Sequence, residues 1–167
     1  MLIPAPVQTT YTQYVNVGQN GMPATMTGWD VDTRIFEDQA SPLAGIGFGL
    51  AVCQGAADKG CRLGLMSGRL FVGITRAVQT LASLGPVPIP ADTYWNGDNV
   101  NVHVRGDIWV IVGNNVTADA AVYCNTATGQ LGASGITNAG QITNARWQTT
   151  ATSGNLAVVR LGFLAGL

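Results

Sequence analysis

The stretch that decides the fold is residues 94–131, YWNGDNVNVHVRGDIWVIVGNNVTADAAVYCNTATGQL. Within residues 99–105 valine alternates with polar side chains, the period-two pattern of a strand with one dry face and one wet face. Residues 108–112, IWVIV, form an unbroken apolar run of strand length. The short break at Arg105-Gly106-Asp107 between them predicts a tight turn, so we expect a β-hairpin here.

Further strand patterns flank this stretch on both sides. Bulky residues alternate with glycine from Leu43 to Val52, and bare strand faces of this kind often mark the close approach of another backbone. No convincing long helix interrupts the pattern, which predicts an all-β fold with a jelly-roll or small β-barrel or sandwich body. Additional pairs of strands are predicted at residues 61–66 with 69–75, 121–124 with 130–131, and 142–150 with 155–164.

The N-terminal residues have a different composition. Residues 1–29 contain no charged side chain, although they hold several prolines and glycines, which indicates an extended arm. The arm either crosses onto a neighbouring subunit or packs on its own domain. We therefore divide the chain into an extended arm, residues 1–40, and a β-barrel or jelly-roll body, residues 41–167. The arm residues expected to anchor contacts are Tyr11, Tyr14, Met26 and Trp29, since aromatic residues and methionine are enriched in interface cores.

The surface of the protein is unusually poor in charge. Charged residues make up 10% of the 167 residues, against about 25% in an average domain. The net charge is −1 and Lys59 is the single lysine, so there is no basic patch for binding nucleic acid. No run of ~20 apolar residues predicts a membrane helix. The uncharged surface indicates a protein whose faces are covered by neighbours.

No set of residues with a catalytic or metal-binding pattern is present. The three cysteines are unpatterned and the chain has one histidine, so we expect buried thiols, no zinc and no cofactor. His103 is predicted on the polar face of its strand, without a nucleophile motif nearby, and we expect no enzymatic activity. The aromatic residues Tyr94, Trp29, Trp95 and Trp147 could form a sugar-binding platform, although packing in the core is the commoner fate of such rings.

Four charged residues are candidates for structural ion pairs. Arg160 lies in the last predicted strand, so either that face of the strand is only partly buried or Arg160 has a carboxylate partner such as Asp98 or Asp107. Arg105 completes the set.

The order of several motifs resembles that of the capsid cement, or head decoration, proteins of tailed bacteriophages. The similarity covers most of the chain and depends on loosely placed positions. The segments that carry it are FVGITRAVQTL (71–81), Tyr94 with Gly97-Asp98, RGDIWV (105–110), VTADAAVY (116–123), TGQL (128–131), Trp147 and LAVVRL (156–161).

The resemblance implies a structural protein on the outer surface of a phage capsid, made in the host cytoplasm. It implies contact with a major capsid protein of the HK97-type fold and assembly as dimers or trimers, with a homotrimer favoured. Such a protein would stabilise the shell by bridging neighbouring capsid proteins. The alternative is a receptor- or carbohydrate-binding β module of a phage fibre or head.

Overall fold

The computed structural model describes residues 18–25, 28–37, 45–78 and 93–162. Within these ranges there are eleven β-strands and no helix, which confirms the all-β prediction. The strands are β1 (Asp30–Phe36), β2 (Gly45–Gly47), β3 (Ala51–Gln54), β4 (Gly60–Leu63), β5 (Phe71–Thr75), β6 (Thr93–Trp95), β7 (Asn99–Ile111), β8 (Ala121–Asn125), β9 (Leu131–Gly132), β10 (Ala139–Trp147) and β11 (Leu156–Leu161).

Five strands close into a small barrel. Their order is β1-β4-β3-β5-β7, and β7 pairs back with β1 to complete the ring. β1 lies parallel to β4, while the other neighbours are antiparallel. Closure leaves no free edge on these strands, so the barrel offers no ladder of unpaired backbone groups to a partner. The small-barrel prediction is confirmed.

A second sheet grows from the same central strand. It runs β7-β11-β10-β8-β9. The sheet curls until its last strand returns to the end of β7, where the backbone N–H of Gly113 donates to the carbonyl of Leu131 at 2.8 Å. The outer edge of β9 is therefore also covered.

The predicted hairpin at residues 99–112 is wrong, because β7 is one continuous strand of 13 residues. Gly106 has a φ of +100°, a conformation that favours glycine, and it bends the strand without reversing it. Before this bend β7 pairs with β1, and from Gly106 onward it pairs with β11. The break in the sequence pattern thus marks the point where one strand passes from the barrel to the second sheet.

Two other strand predictions also need correction. Within the strand predicted from Leu43 to Val52, residues 45–52 do not form one strand: β2 and β3 are separated by a bend that contains Gly49, whose φ is +72°. The predicted hairpin at residues 61–75 does not form either, since β4 and β5 both pair with β3, which lies between them. The pairings of β8 with β9 and of β10 with β11 are confirmed.

Each half of the molecule has its own core. Inside the barrel, a cluster of buried side chains is capped by the two-stranded sheet of β2 and β6, where Phe48 and Tyr94 pack edge to face at 5.4 Å. A larger cluster fills the curl of the second sheet around the fully buried Trp147 and also takes in Ala51 of β3 and Ile74 of β5. Full burial of each large apolar side chain contributes about 1.5–3 kcal/mol, so this larger core also binds the second sheet to the barrel.

Replacing Gly106 with alanine tests the bend. A Cβ at Gly106 would lie 2.7 Å from the Cβ of Trp29 and 3.1 Å from the carbonyl oxygen of Gly28. We expect Gly106→Ala to lower the free energy of unfolding by about 2–4 kcal/mol, from backbone strain and overpacking together. Urea unfolding measures this difference.

Gly97→Ala is the matched control, since Gly97 has a φ of +90° and nothing within 4 Å of the added Cβ. Backbone strain alone should lower its stability by about 1–2 kcal/mol. Equal losses in the two variants would show that Trp29 does not constrain the bend.

Candidate functional site

Residues 18–25, here called the N-terminal strap, pair with β7 beyond Gly106, along the edge that β11 does not bind. The N–H of Gly21 donates to the carbonyl of Trp109 at 2.7 Å, and the N–H of Trp109 donates to Met22 at 2.8 Å. The N–H of Ala24 donates to Asp107 at 2.8 Å. The opposite edge of β7 is bound by β11, so this part of the predicted arm packs on its own domain.

Asn20 fixes the strap at its start. Its side-chain N–H donates to the carbonyl of Phe48 at 2.6 Å, and its side-chain oxygen accepts from the N–H of Ile111 at 3.0 Å. Gly18 lies flat on the ring of Trp109, where an added Cβ would approach within 2.5 Å. One amide side chain thus ties the strap to both the barrel and the end of β7.

The four predicted anchors fall in different places. Tyr11, Tyr14 and Met26 lie outside the described residues. Trp29 is half-buried and lies just before β1. Because β1 is a strand of the barrel, residues 30–36 of the predicted arm belong to the barrel wall.

The ring of Trp29 contacts two nitrogen-bearing side chains. The guanidinium carbon of Arg76 sits 4.4 Å from the centre of the Trp29 ring, and the His103 ring stacks at 6.4 Å between centroids with 29° between planes. A cation placed over an indole face is attracted to it by roughly 0.5–2 kcal/mol. Residues 29, 76 and 103 are far apart in the chain, and no sequence pattern linked them.

His103 is fully buried, so its predicted position on a wet strand face is wrong. Neither of its ring nitrogens has a hydrogen-bond partner among the described residues. Burial lowers the pKa of His103, and the nearby cation of Arg76 lowers it further. The backbone of Gly106 and the carboxylates of Asp107 and Asp30 act to raise the pKa, but the net shift is downward. An imidazole enclosed in this way has no exposed face with which to exchange protons with a substrate.

The ion-pair candidates have distinct roles in the structure. Arg160 donates two hydrogen bonds to the buried carboxylate of Asp107, at 2.7 and 2.9 Å, on neighbouring strands of the second sheet. Arg105 and Asp30 are 4.0 Å apart and both about two-thirds exposed, so solvent screens them. Asp98 accepts the N–H of Trp95 at 2.7 Å and closes the turn before β7.

Other charged groups on the barrel are also used within the chain. The carboxylate of Asp32 contacts Arg34 at 2.6 Å and Lys59 at 3.1 Å. The backbone N–H of Ala56 donates to Glu37 at 2.6 Å and lowers the pKa of that carboxyl. These charges hold loops in place and leave few ionic groups free for a partner.

The cysteines and two of the predicted platform rings belong to the interior. Cys53, Cys61 and Cys124 are free and buried, as predicted, and burial raises the pKa of Cys61 and of Cys124 to about 12. Tyr94 and Trp147 are core residues and cannot contribute to an exposed sugar platform. Within the described ranges no group of three or more His, Cys, Asp or Glu could hold a metal ion. None of the described segments is a helix long and apolar enough to span a bilayer.

Two curled sheets that share one strand, together with a strap hydrogen-bonded to that strand and a sequence poor in charge, define an all-β protein of the kind that serves a structural role. The chain belongs to the family of structural cement proteins typified by E217 gp24 and Pam3 gp6, whose model matches residues 7–162. It is therefore a structural phage protein that stabilises the capsid and is part of the virion.

Solved structures give a further comparison. A chain of the capsid of Myoviridae phage XM1 is similar with a TM-score of 0.65 and 18% identity, over 93% of this chain and 97% of that chain. This likeness shows the fold. The head fiber gp8.5 N base of bacteriophage phi29 has a TM-score of 0.41 and 12% identity, over 80% of this chain and 93% of that chain. No curated protein sequence matches the chain.

The buried histidine predicts a pH dependence of stability. Above pH 6.5, the ordinary pKa, His103 is neutral in both the folded and unfolded states. As the pH falls below this value the unfolded chain binds a proton that the folded chain resists, so the free energy of unfolding falls, by at most about 1.4 kcal/mol per pH unit. Urea unfolding between about pH 7.5 and about pH 5.5 measures the slope, a window in which histidine is the side chain that titrates.

His103→Gln should flatten this slope, because His103 is the one histidine in the chain. The wild-type imidazole, followed by NMR, should titrate below pH 6.5. An unchanged slope in the variant, together with an ordinary titration in the wild type, would contradict the assignment.

Proposed function

We propose that this protein cements the capsid from its outer surface by bridging neighbouring major capsid proteins, with its N-terminal arm laid across one of them. The observation that carries the proposal is the strap, which fixes the root of the arm at Gly18 against Trp109. The 17 residues before it carry no charge and include Tyr11 and Tyr14. Fully extended, they could reach about 60 Å, enough to cross a subunit boundary.

A bridging arm needs a root that does not peel away. The strap bonds to β7 through three main-chain hydrogen bonds spaced along the strand, and Asn20 adds a bond at each end of its amide. Because β7 runs through both the barrel and the second sheet, tension on the arm would reach both hydrophobic cores. A pull from a neighbouring subunit is therefore distributed over the whole body.

The surface also suits a protein that is covered on assembly. From Ile108 to Val159 the sequence contains just two charged residues, Asp119 and Arg146. A face with so few charges gives little electrostatic repulsion between copies. This supports the further proposal of a homotrimer on a shell of HK97-type capsid proteins, each copy sending its arm to a different neighbour.

In this arrangement the anchors divide into two groups. Tyr11, Tyr14 and Met26 are proposed to contact the capsid protein, where their rings and thioether would be desolvated. Trp29, in contact with Arg76 and His103, would secure the end of the strap to the barrel. Interfaces of standard size bury about 1,600 Å², and several on one shell reinforce one another through effective concentration.

Deleting residues 1–17 tests the role of the arm. Since the deletion leaves the strap and every described strand intact, the variant should unfold at the same urea concentration as the wild type. We expect its occupancy on capsids stripped of cement protein to fall at least about tenfold, the effect of losing one well-buried aromatic anchor. Sedimentation of capsids with bound protein measures occupancy.

A matched variant replaces residues 1–17 with a glycine-serine segment of equal length. It should bind as poorly as the deletion, because the proposed contacts depend on side chains such as Tyr11 and Tyr14. Wild-type occupancy by the deleted protein would overturn the arm as a capsid contact.

A further inference from the structure

The loop between β4 and β5, residues 64–70, presents an apolar tip to solvent. Leu70 is 80% exposed, the largest exposure among the large apolar side chains of the described residues, and Met66 is 42% exposed. A single exposed leucine is ordinary on a protein surface. Here, however, two such side chains, Met66 and Leu70, lie on one short loop.

Hydrogen bonds at both ends hold the loop. The N–H of Gly64 donates to the carbonyl of Ala51 at 2.8 Å, and the N–H of Gln54 donates to Leu70 at 2.9 Å. The N–H of Arg69 closes a turn onto Met66 at 3.1 Å. A loop fixed in this way loses little conformational entropy when its tip is buried by a partner.

A second loop, which contains no charged residue, lies beside the first. The N–H of Leu65 donates to the carbonyl of Thr126 at 3.1 Å, in the turn between β8 and β9. That turn is fixed in its own right, because the N–H of Ala51 donates to the carbonyl of Gly129 at 2.8 Å. The exposed residues of loop 64–70 and turn 125–129 form what we call the two-loop patch: Met66, Ser67, Gly68, Arg69, Leu70, Ala127 and Thr128.

We propose that the two-loop patch is a second capsid contact, which inserts Leu70 and Met66 into an apolar pocket of a major capsid protein other than the one the arm contacts. This rests on the proposed function and adds the position of a second attachment. The strap bonds to β7 at Asp107 and Trp109, beyond the bend at Gly106, whereas β5, which begins next to Leu70, pairs with β7 at Val102 and His103, before the bend. The two attachments therefore connect to different parts of the strand that joins both halves.

Charge argues against a second copy of this chain as the occupant. The exposed Arg69 lies within the tip, with its guanidinium donating to the carbonyls of Gln54 and Gly55. No carboxylate is present among residues 64–70 or 125–129. Contact of the patch with itself about a symmetry axis would bring the Arg69 cations of different copies together, and like charges at an interface are unfavourable. A capsid-protein pocket that is apolar, with a carbonyl or carboxylate at its rim, suits the same surface.

The test compares two substitutions of exposed apolar residues. Leu70→Ser removes the proposed anchor from the tip, while Ile35→Thr changes a 45% exposed residue on β1 and keeps its β-branched shape. Each protein is titrated onto capsids stripped of cement protein, and occupancy is measured by sedimentation. We expect Leu70→Ser to raise the concentration for half-occupancy about tenfold or more, since the burial of one leucine side chain strengthens binding by a factor of that size. Ile35→Thr should bind within about twofold of the wild type.

The remaining outcomes overturn the proposal. Equal binding by Leu70→Ser and wild type would remove the patch as a capsid contact, and equal weakening by both variants would show that the effect is not specific to the tip. A change in the oligomeric state of free Leu70→Ser, seen by analytical ultracentrifugation, would assign the patch to self-association. Failure of the wild type itself to bind would count against the proposed function, whereas wild-type binding unaffected at Leu70 counts against this inference alone.

Discussion

The bend of β7 at Gly106 is the constraint on which the rest of the structure depends. A strand that continued straight could serve one sheet, and a true turn would have produced a hairpin. The positive φ at Gly106 instead bends the strand without reversing it. Residues before the bend close the barrel, and residues after it pair with the second sheet. Because Trp29 packs against this glycine, the same position also sets where the strap ends and β1 begins.

This arrangement explains how a small protein can hold a shell together. Its two hydrophobic cores are joined through β7, and its arm root is pinned to the edge of that strand. Most charged groups bond within the chain, so the outer surface is left to neutral polar and apolar contacts. These features suit a member of the structural cement protein family, since stabilising a capsid requires a stiff body and surfaces that neighbours can cover.

The sequence predicted those features that are local. The pairs β8–β9 and β10–β11 follow from turn residues flanked by alternating strands. It could not show that β3 lies between β4 and β5, because strand order depends on distant partners. The hairpin predicted at residues 99–112 was wrong for a related reason, since a glycine such as Gly106 is compatible with a bend in a strand as well as with a turn. The Trp29 stack and the exposure of Leu70 were also hidden, because each depends on the tertiary arrangement of residues far apart in sequence.

A cryo-electron microscopy reconstruction of the intact virion would show whether each molecule joins two capsid subunits through attachments connected to β7 before and beyond the bend at Gly106. We expect the body on the outer surface of the shell, with residues 1–17 on one major capsid protein and Leu70 buried in a pocket of its neighbour. A body located away from the shell, or one whose arm and two-loop patch both rest on a single capsid subunit, would contradict it.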